Sequence, residues 1–171
     1  MPSGTRRVVA AWVALAAAGA CSPGEPHDDP AVVPPVFGAD VLQPWLAAGV
    51  YKAGGWTCEA APHATSGLSP HGTIRTCTNP VALAAAAAAD WPVDSAWVTE
   101  LYAGSGALRG FTVMRRSEPT AGSASWYWFQ EADSAAPSAD GWGFEGAPLT
   151  DCSACHVLAG TGSNRGHGFV F

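Results

Sequence analysis

The sequence predicts a mainly β (α+β) fold: an antiparallel β-sheet domain with a few short helices and a cysteine-bearing C-terminal segment. Three observations predict it. Segments rich in β-branched and aromatic residues recur along the second half of the chain, at 73–78, 96–102, 107–116 and 125–130. Two of them are joined by the tight turn Gly104-Ser105-Gly106. The stretches with helical character, 39–50 and the Ala run after Pro80, are short.

In chain order, the first segment reads as an export leader over 1–20. Arg6 and Arg7 form a positive start, and Val8 to Ala20 is an uncharged apolar run. That run is shorter than the ~20 residues a membrane-spanning helix needs. Ala18-Gly19-Ala20 then places small residues before Cys21. Two cleavages are compatible with this: ordinary signal peptidase after the A-x-A pattern, or lipoprotein processing with Cys21 as the acylated first residue. The polar, Pro-rich stretch that follows reads as a tether over 21–37, which favours the lipid anchor. The folded domain is expected over 38–171. Val81 to Ala89 is apolar but too short to span a membrane, and Asp90 closes it.

Ala39 to Val50 is expected to be a helix with Trp45 and Leu46 on its apolar side, broken by Gly49 and Gly54-Gly55. From Gly55 to Gly72 the chain is Gly-, Pro- and Ser-rich and reads as loop. Thr73 to Thr78 alternates β-branched residues and reads as a strand. Asn79 caps a helix with Pro80 at its first position, and Asp90 and Pro92 mark its exit. Strands follow at 96–102, 107–116 and 125–130, then a loop at 134–146. The dense aromatics of Trp126-Tyr127-Trp128-Phe129 point to a strand buried on both faces or facing a large flat ligand.

Composition excludes one class of partner. The formal net charge is −6 with only 8 Lys and Arg and no basic run, so no phosphate-binding surface for nucleic acid is available. The ~150 residues that remain after the leader bury a sizeable core. The five Cys each take a role. Cys21 is the candidate anchor, and Cys152 and Cys155 belong to Cys152-Ser153-Ala154-Cys155-His156. Cys58 and Cys77 remain, and an oxidising compartment favours a disulfide between them. A rival reading joins them with His63 and His71 as zinc ligands, although the spacing matches no ordinary structural zinc site.

The C-x-x-C-H segment carries the chemistry. Two thiols two residues apart reach the two vinyl groups on one haem edge and form thioethers, and the next residue lies under the iron. The cofactor implied is one covalently bound haem c, with His156 as proximal ligand. The competing reading is a redox C-x-x-C pair with an incidental His, or a chance motif. Function then turns on the sixth position of the iron. Met114 is the Met candidate, with a core role as its alternative. His167 lies too close to His156 in sequence to reach the far haem face. Asp151 is either an outer partner of the motif or an exposed turn acid.

In the order Thr73-Ile74-Arg75-Thr76, Asn79-Pro80, Trp91 to Leu101, Phe111 to Arg116, Trp126 to Phe129, the haem motif and Phe169-Val170-Phe171, the chain resembles the cytochrome P-460 family, which includes the cytochromes c′-beta. The resemblance runs from about Pro70 to Phe171. It implies a β-rich, often dimeric monohaem domain with five-coordinate iron, unlike the all-helical electron-transfer cytochromes c. Members that oxidise hydroxylamine carry a haem-cross-linking Lys where this chain has Thr99, so the resemblance implies the c′-beta type. That type binds gases such as nitric oxide.

The distal pocket candidates are Arg75, which matches a distal Arg in some members, Thr99, and the aromatics Phe111, Trp126, Trp128 and Phe129. The expected function is binding of nitric oxide or a related nitrogen oxide by an exported, periplasmic, lipid-tethered cytochrome. Such a protein has a periplasmic redox partner. A six-coordinate electron carrier and a hydroxylamine-oxidising enzyme are the alternatives.

Overall fold

The fold is seen in a computed structural model, which describes residues 32–35, 39–65, 69–86, 91–119, 123–132, 143–146, Cys152 and His156. The leader 1–20, Cys21, Cys155, Asp151, His167 and the closing Phe169-Val170-Phe171 lie outside the described residues.

Among the described residues, seven strands form one antiparallel sheet. They are β1 (Thr57–Cys58), β2 (His63–Ala64), β3 (Thr73–Thr78), β4 (Ala96–Tyr102), β5 (Leu108–Arg116), β6 (Trp126–Ala132) and β7 (Gly143–Gly146). The order is β1-β3-β4-β5-β6-β7, with β2 also paired to β3. Among the described residues two α-helices accompany the sheet, α1 (Ala39–Ala47) and α2 (Pro80–Ala84). Among the described residues no helix is long and apolar enough to cross a membrane.

The expected strands form because side chains alternate between faces with a period of two, and both faces of this sheet are covered. On one face Val98, Val113, Tyr127 and Phe129 pack under α1, where Leu42, Trp45 and Leu46 are buried, and against Tyr51 and Trp56. On the other face Trp97, Met114, Trp126 and Trp128 pack with Ala82 and Ala85 from the α2 region and with Trp91. Central strand β4 is therefore buried on both sides. The β4–β5 hairpin closes at Gly106, whose φ of 84° suits glycine, and the Gly106 N–H donates to Ala103 O at 2.8 Å.

Four local expectations are corrected. The stretch 55–72 is not all loop, because β1 and β2 lie there and pair with β3 through Thr57↔Thr78 and His63↔Ile74. The stretch 134–146 ends in β7, paired with β6 through Gln130↔Phe144. Strands of two to four residues carry no alternation of their own, and their backbones become strand only by meeting a neighbour. The first helix stops at Ala47 rather than Val50, because Gly49 takes φ 68° and its N–H bonds back to Leu46 O. The Ala run is helical only through Ala84 before a turn at Ala85 and Ala86, and residues 87–90 lie outside the described ones.

The end of the expected tether belongs to the packed body. Val33 and Pro34 are buried, and Pro34 O accepts from the Arg115 guanidinium at 2.6 Å. Asn79 ties this segment to the sheet. Its Oδ1 accepts from Ala82 N at 2.9 Å and Ala96 N at 3.0 Å. Its Nδ2 donates to Asp94 O at 2.7 Å and Val32 O at 3.2 Å. Asn79→Ala removes a helix cap and leaves buried partners unmet. It is expected to cost about 3 kcal/mol of stability, read as a lower urea midpoint at unchanged slope.

Candidate functional site

The face that carries Trp97, Met114 and Trp128 is built of two cross-strand rows. The first runs Thr78↔Trp97↔Met114↔Trp128 across β3, β4, β5 and β6. The second, two residues along each strand, runs Thr76↔Thr99↔Thr112↔Gln130. One row is aromatic and thioether, and its neighbour is hydroxyl and amide. The Thr76 and Thr99 hydroxyls lie 3.3 Å apart. Thr76 and Gln130 are buried at 4% and 8% exposure.

The tryptophans of the first row belong to a continuous cluster. Trp91 stands edge-on to Trp97 at 4.9 Å, Trp97 lies 6.0 Å from Trp126, and Trp126 lies 6.3 Å from Trp128. Such offset and edge-on pairs gain from the ring quadrupole beyond their burial. Two residues of the C-x-x-C-H segment come to this cluster. Cys152 packs against it, and the half-buried His156 ring meets Trp128 edge-on with centroids 4.8 Å apart.

The donor set tests the fit of a haem. Among the described residues, the indole N–H groups of Trp97 and Trp128 are buried with no acceptor. A buried donor left unmet costs free energy. A flat apolar group whose polar atoms are all acceptors complements this face, in both its aromatic surface and its spare donors. The residues present therefore fit such a group.

The six distal candidates do not share one face. Thr99, Trp126 and Trp128 lie on the face that Cys152 and His156 reach. Arg75, Phe111 and Phe129 lie on the opposite face, and their expected place in one pocket with the others is corrected. The physical reason is strand alternation: Arg75 precedes Thr76 and Phe129 follows Trp128, so each points the other way. Arg75 donates to Glu59 O at 2.8 Å and approaches Glu100 at 3.4 Å. Phe111 packs edge-on against Tyr51 at 6.0 Å. Met114 is buried in the first row.

Cys58 and Cys77 form a disulfide between β1 and β3. With both thiols joined, the mixed Cys and His zinc arrangement is lost. His63 Nε2 instead meets Glu59 at 3.0 Å, and its backbone bond to Ala64 and that carboxylate push its pKa up. Burial pushes the pKa of His71 down.

Two features were missed in the sequence. Gln130 sits on the Trp126 and Trp128 face, and the period of two along β6 was the signal that would have found it. The second is a buried carboxylate on the α1 side. Glu100 is 0% exposed and accepts from the Tyr51 and Tyr102 hydroxyls, both at 2.5 Å, and from Lys52 Nζ at 2.8 Å. Nothing in the order of residues joins Lys52 and Tyr51 to Glu100, because the turn after α1 brings them together.

Comparison with protein-family models, with curated proteins and with solved structures finds no match to this chain.

Proposed function

We propose that the chain is an exported, lipid-tethered monohaem c-type cytochrome that binds nitric oxide or a related small nitrogen oxide. Cys152 and Cys155 would carry the haem, and His156 would bind its iron. One observation carries the reading: Cys152 and His156 meet the tryptophan-rich face of the sheet together, where two buried indole donors have no acceptor. Haem supplies an iron centre that takes up a small ligand and changes charge by one electron.

The chain's own residues have separate tasks. The Trp128 edge against the imidazole orients His156. Trp91, Trp97 and Trp126 exclude water from that side, which keeps the local dielectric low and strengthens each polar contact. Thr99 offers a hydroxyl where, on the resemblance to the P-460 family, its hydroxylamine-oxidising members carry a cross-linking amine. This favours ligand binding over that oxidation.

A second reading rests on Met114, a buried thioether on the same face. As a sixth ligand it would make the protein a six-coordinate electron carrier. The optical spectrum of the haem-loaded protein, oxidised and dithionite-reduced, decides between them. A high-spin ferrous Soret band that shifts with nitric oxide is expected. A low-spin spectrum indifferent to nitric oxide, turned high-spin by Met114→Leu, would establish the second reading instead.

A further inference from the structure

A cleft of about 380 Å³ opens on the α1 side of the sheet, where Phe111 packs against Tyr51. Gln43 and Ala47, one turn apart on α1, form one wall. Phe111 and Leu108 of β5 supply apolar surface, and Leu108 is 46% exposed. Arg109 and Glu131 bring opposite charges to the same cleft.

Two observations set Arg109 apart. The register between β4 and β5 skips it, because Leu101 pairs with Gly110 and Tyr102 with Leu108. Such a bulge re-aims the side chain of the extra residue, here towards the cleft. Its Nε is also buried with no acceptor, and among the described residues its guanidinium makes no ion pair. A buried donor on a charged group that is left unmet is costly. Glu131 stands opposite Phe111 on β6 and is therefore a diagonal neighbour of Arg109. Such positions lie ~7–8 Å apart. Among the described residues the two charges share the cleft without closing on each other.

We infer that this cleft binds a free α-amino acid with an apolar side chain. Its carboxylate accepts from the Arg109 guanidinium, its ammonium donates to the Glu131 carboxylate, and its side chain covers Leu108 and Phe111. Charge complementarity decides the class. A simple anion meets Arg109 but is repelled by Glu131, and a simple cation meets the reverse. A zwitterion whose charges lie close together answers both and fills the gap the two side chains leave. The volume lies at the low end of the ~300–1,000 Å³ of small-molecule sites, which suits one residue rather than a chain. The inference does not rest on the haem reading, because the cleft lies on the other side of the sheet from Trp128 and His156.

Calorimetric titration of the full chain with L-leucine and with L-phenylalanine tests it, and saturable binding is expected. N-acetyl-L-leucine lacks the ammonium and L-leucinamide lacks the carboxylate. Each is expected to bind at least about tenfold more weakly than L-leucine, the scale of one charged hydrogen bond. Arg109→Gln and Glu131→Gln are each expected to weaken L-leucine by a similar factor. Glu131→Gln is further expected to narrow the gap between L-leucine and its N-acetyl form, and Arg109→Gln the gap between L-leucine and its amide. A merely structural role would not produce that pairing of variant with ligand. Arg109→Lys keeps the charge without the planar fork and is expected to recover part of the binding. It carries the test if Arg109→Gln does not fold. No saturable heat with either amino acid at millimolar concentration overturns the inference. Binding that ignores both charge-removing variants, or that treats N-acetyl-L-leucine as well as L-leucine, overturns it too. None of these results moves the haem spectrum, so failure here is distinct from failure of the cytochrome reading.

Discussion

Cys152→Ser combined with Cys155→Ser is expected to abolish covalent haem, taking the haem that stays with the acid-acetone-treated chain from one per molecule to none. The argument is chemical. A thioether survives unfolding, whereas an axial His holds haem only while the fold holds the His. In the double variant His156 remains, and so does the aromatic face with Trp97, Trp126 and Trp128. Haem bound to such a variant would leave with the solvent. His156→Ala complements the test, because it keeps both thiols and so is expected to retain the haem with an altered spectrum. Pyridine haemochrome spectra of chain and solvent after extraction measure both. Equal extraction of haem from wild type and double variant would remove the thioether assignment, and with it the cytochrome reading.

Glu100→Gln is expected to cost about 3 kcal/mol of stability, the low end of the range for breaking a buried ion pair. Glu100 is fully buried and holds Lys52, Tyr51 and Tyr102 at hydrogen-bond distance. Glutamine keeps the volume but accepts at one oxygen only and leaves Arg75 facing a neutral group. The low end applies because Lys52 is 48% exposed and recovers water, so its share of the attraction is screened.

The pH dependence follows with a definite sign. Burial pushes the Glu100 carboxyl up, but the bonds from Lys52, Tyr102 and Tyr51 outweigh it and leave the pKa below its ordinary 4.5. A depressed carboxylate pKa contributes stability that is present above 4.5 and is lost as pH falls through the lower folded value. Burial first, and then the carboxylate, push the Tyr51 and Tyr102 phenols above their ordinary 10.0. Their contribution is present below pH 10.0 and lost as pH rises beyond it. Urea unfolding of wild type and Glu100→Gln between pH 3 and 7 measures the acid limb. The two curves are expected to converge as pH falls. Curves that stay parallel would mean that Glu100 is not held ionised by its neighbours.

Much of the sheet was legible because its central strands carry their own pattern. Thr73 to Thr78 alternates, Ala96 to Tyr102 and Trp126 to Gln130 are dense in β-branched and aromatic residues, and Gly104-Ser105-Gly106 marks a hairpin. Asn79-Pro80 announced a capped helix, and the cap is present. The strands β1, β2 and β7 were not legible, since two to four residues are too few to show a period. The packing of Val33 and Pro34 was not legible either, because a Pro-rich stretch reads as linker until Asn79 and Arg115 are seen to hold its carbonyls.

By itself the sequence determined the strand-rich class, favoured the Cys58–Cys77 pairing by compartment, and carries the C-x-x-C-H spacing of Cys152, Cys155 and His156 on which the proposed haem rests. These are local properties, set by residue type and short spacing. The tertiary structure alone decided which side chains share a face. Six distal candidates divide into Thr99, Trp126 and Trp128 on one side and Arg75, Phe111 and Phe129 on the other. Gln130, unnoticed in the sequence, joins the first group. Alternation tells which residues of one strand point together, but the register between strands decides which strands' residues meet. That register comes from hydrogen bonding and packing between segments far apart in the chain.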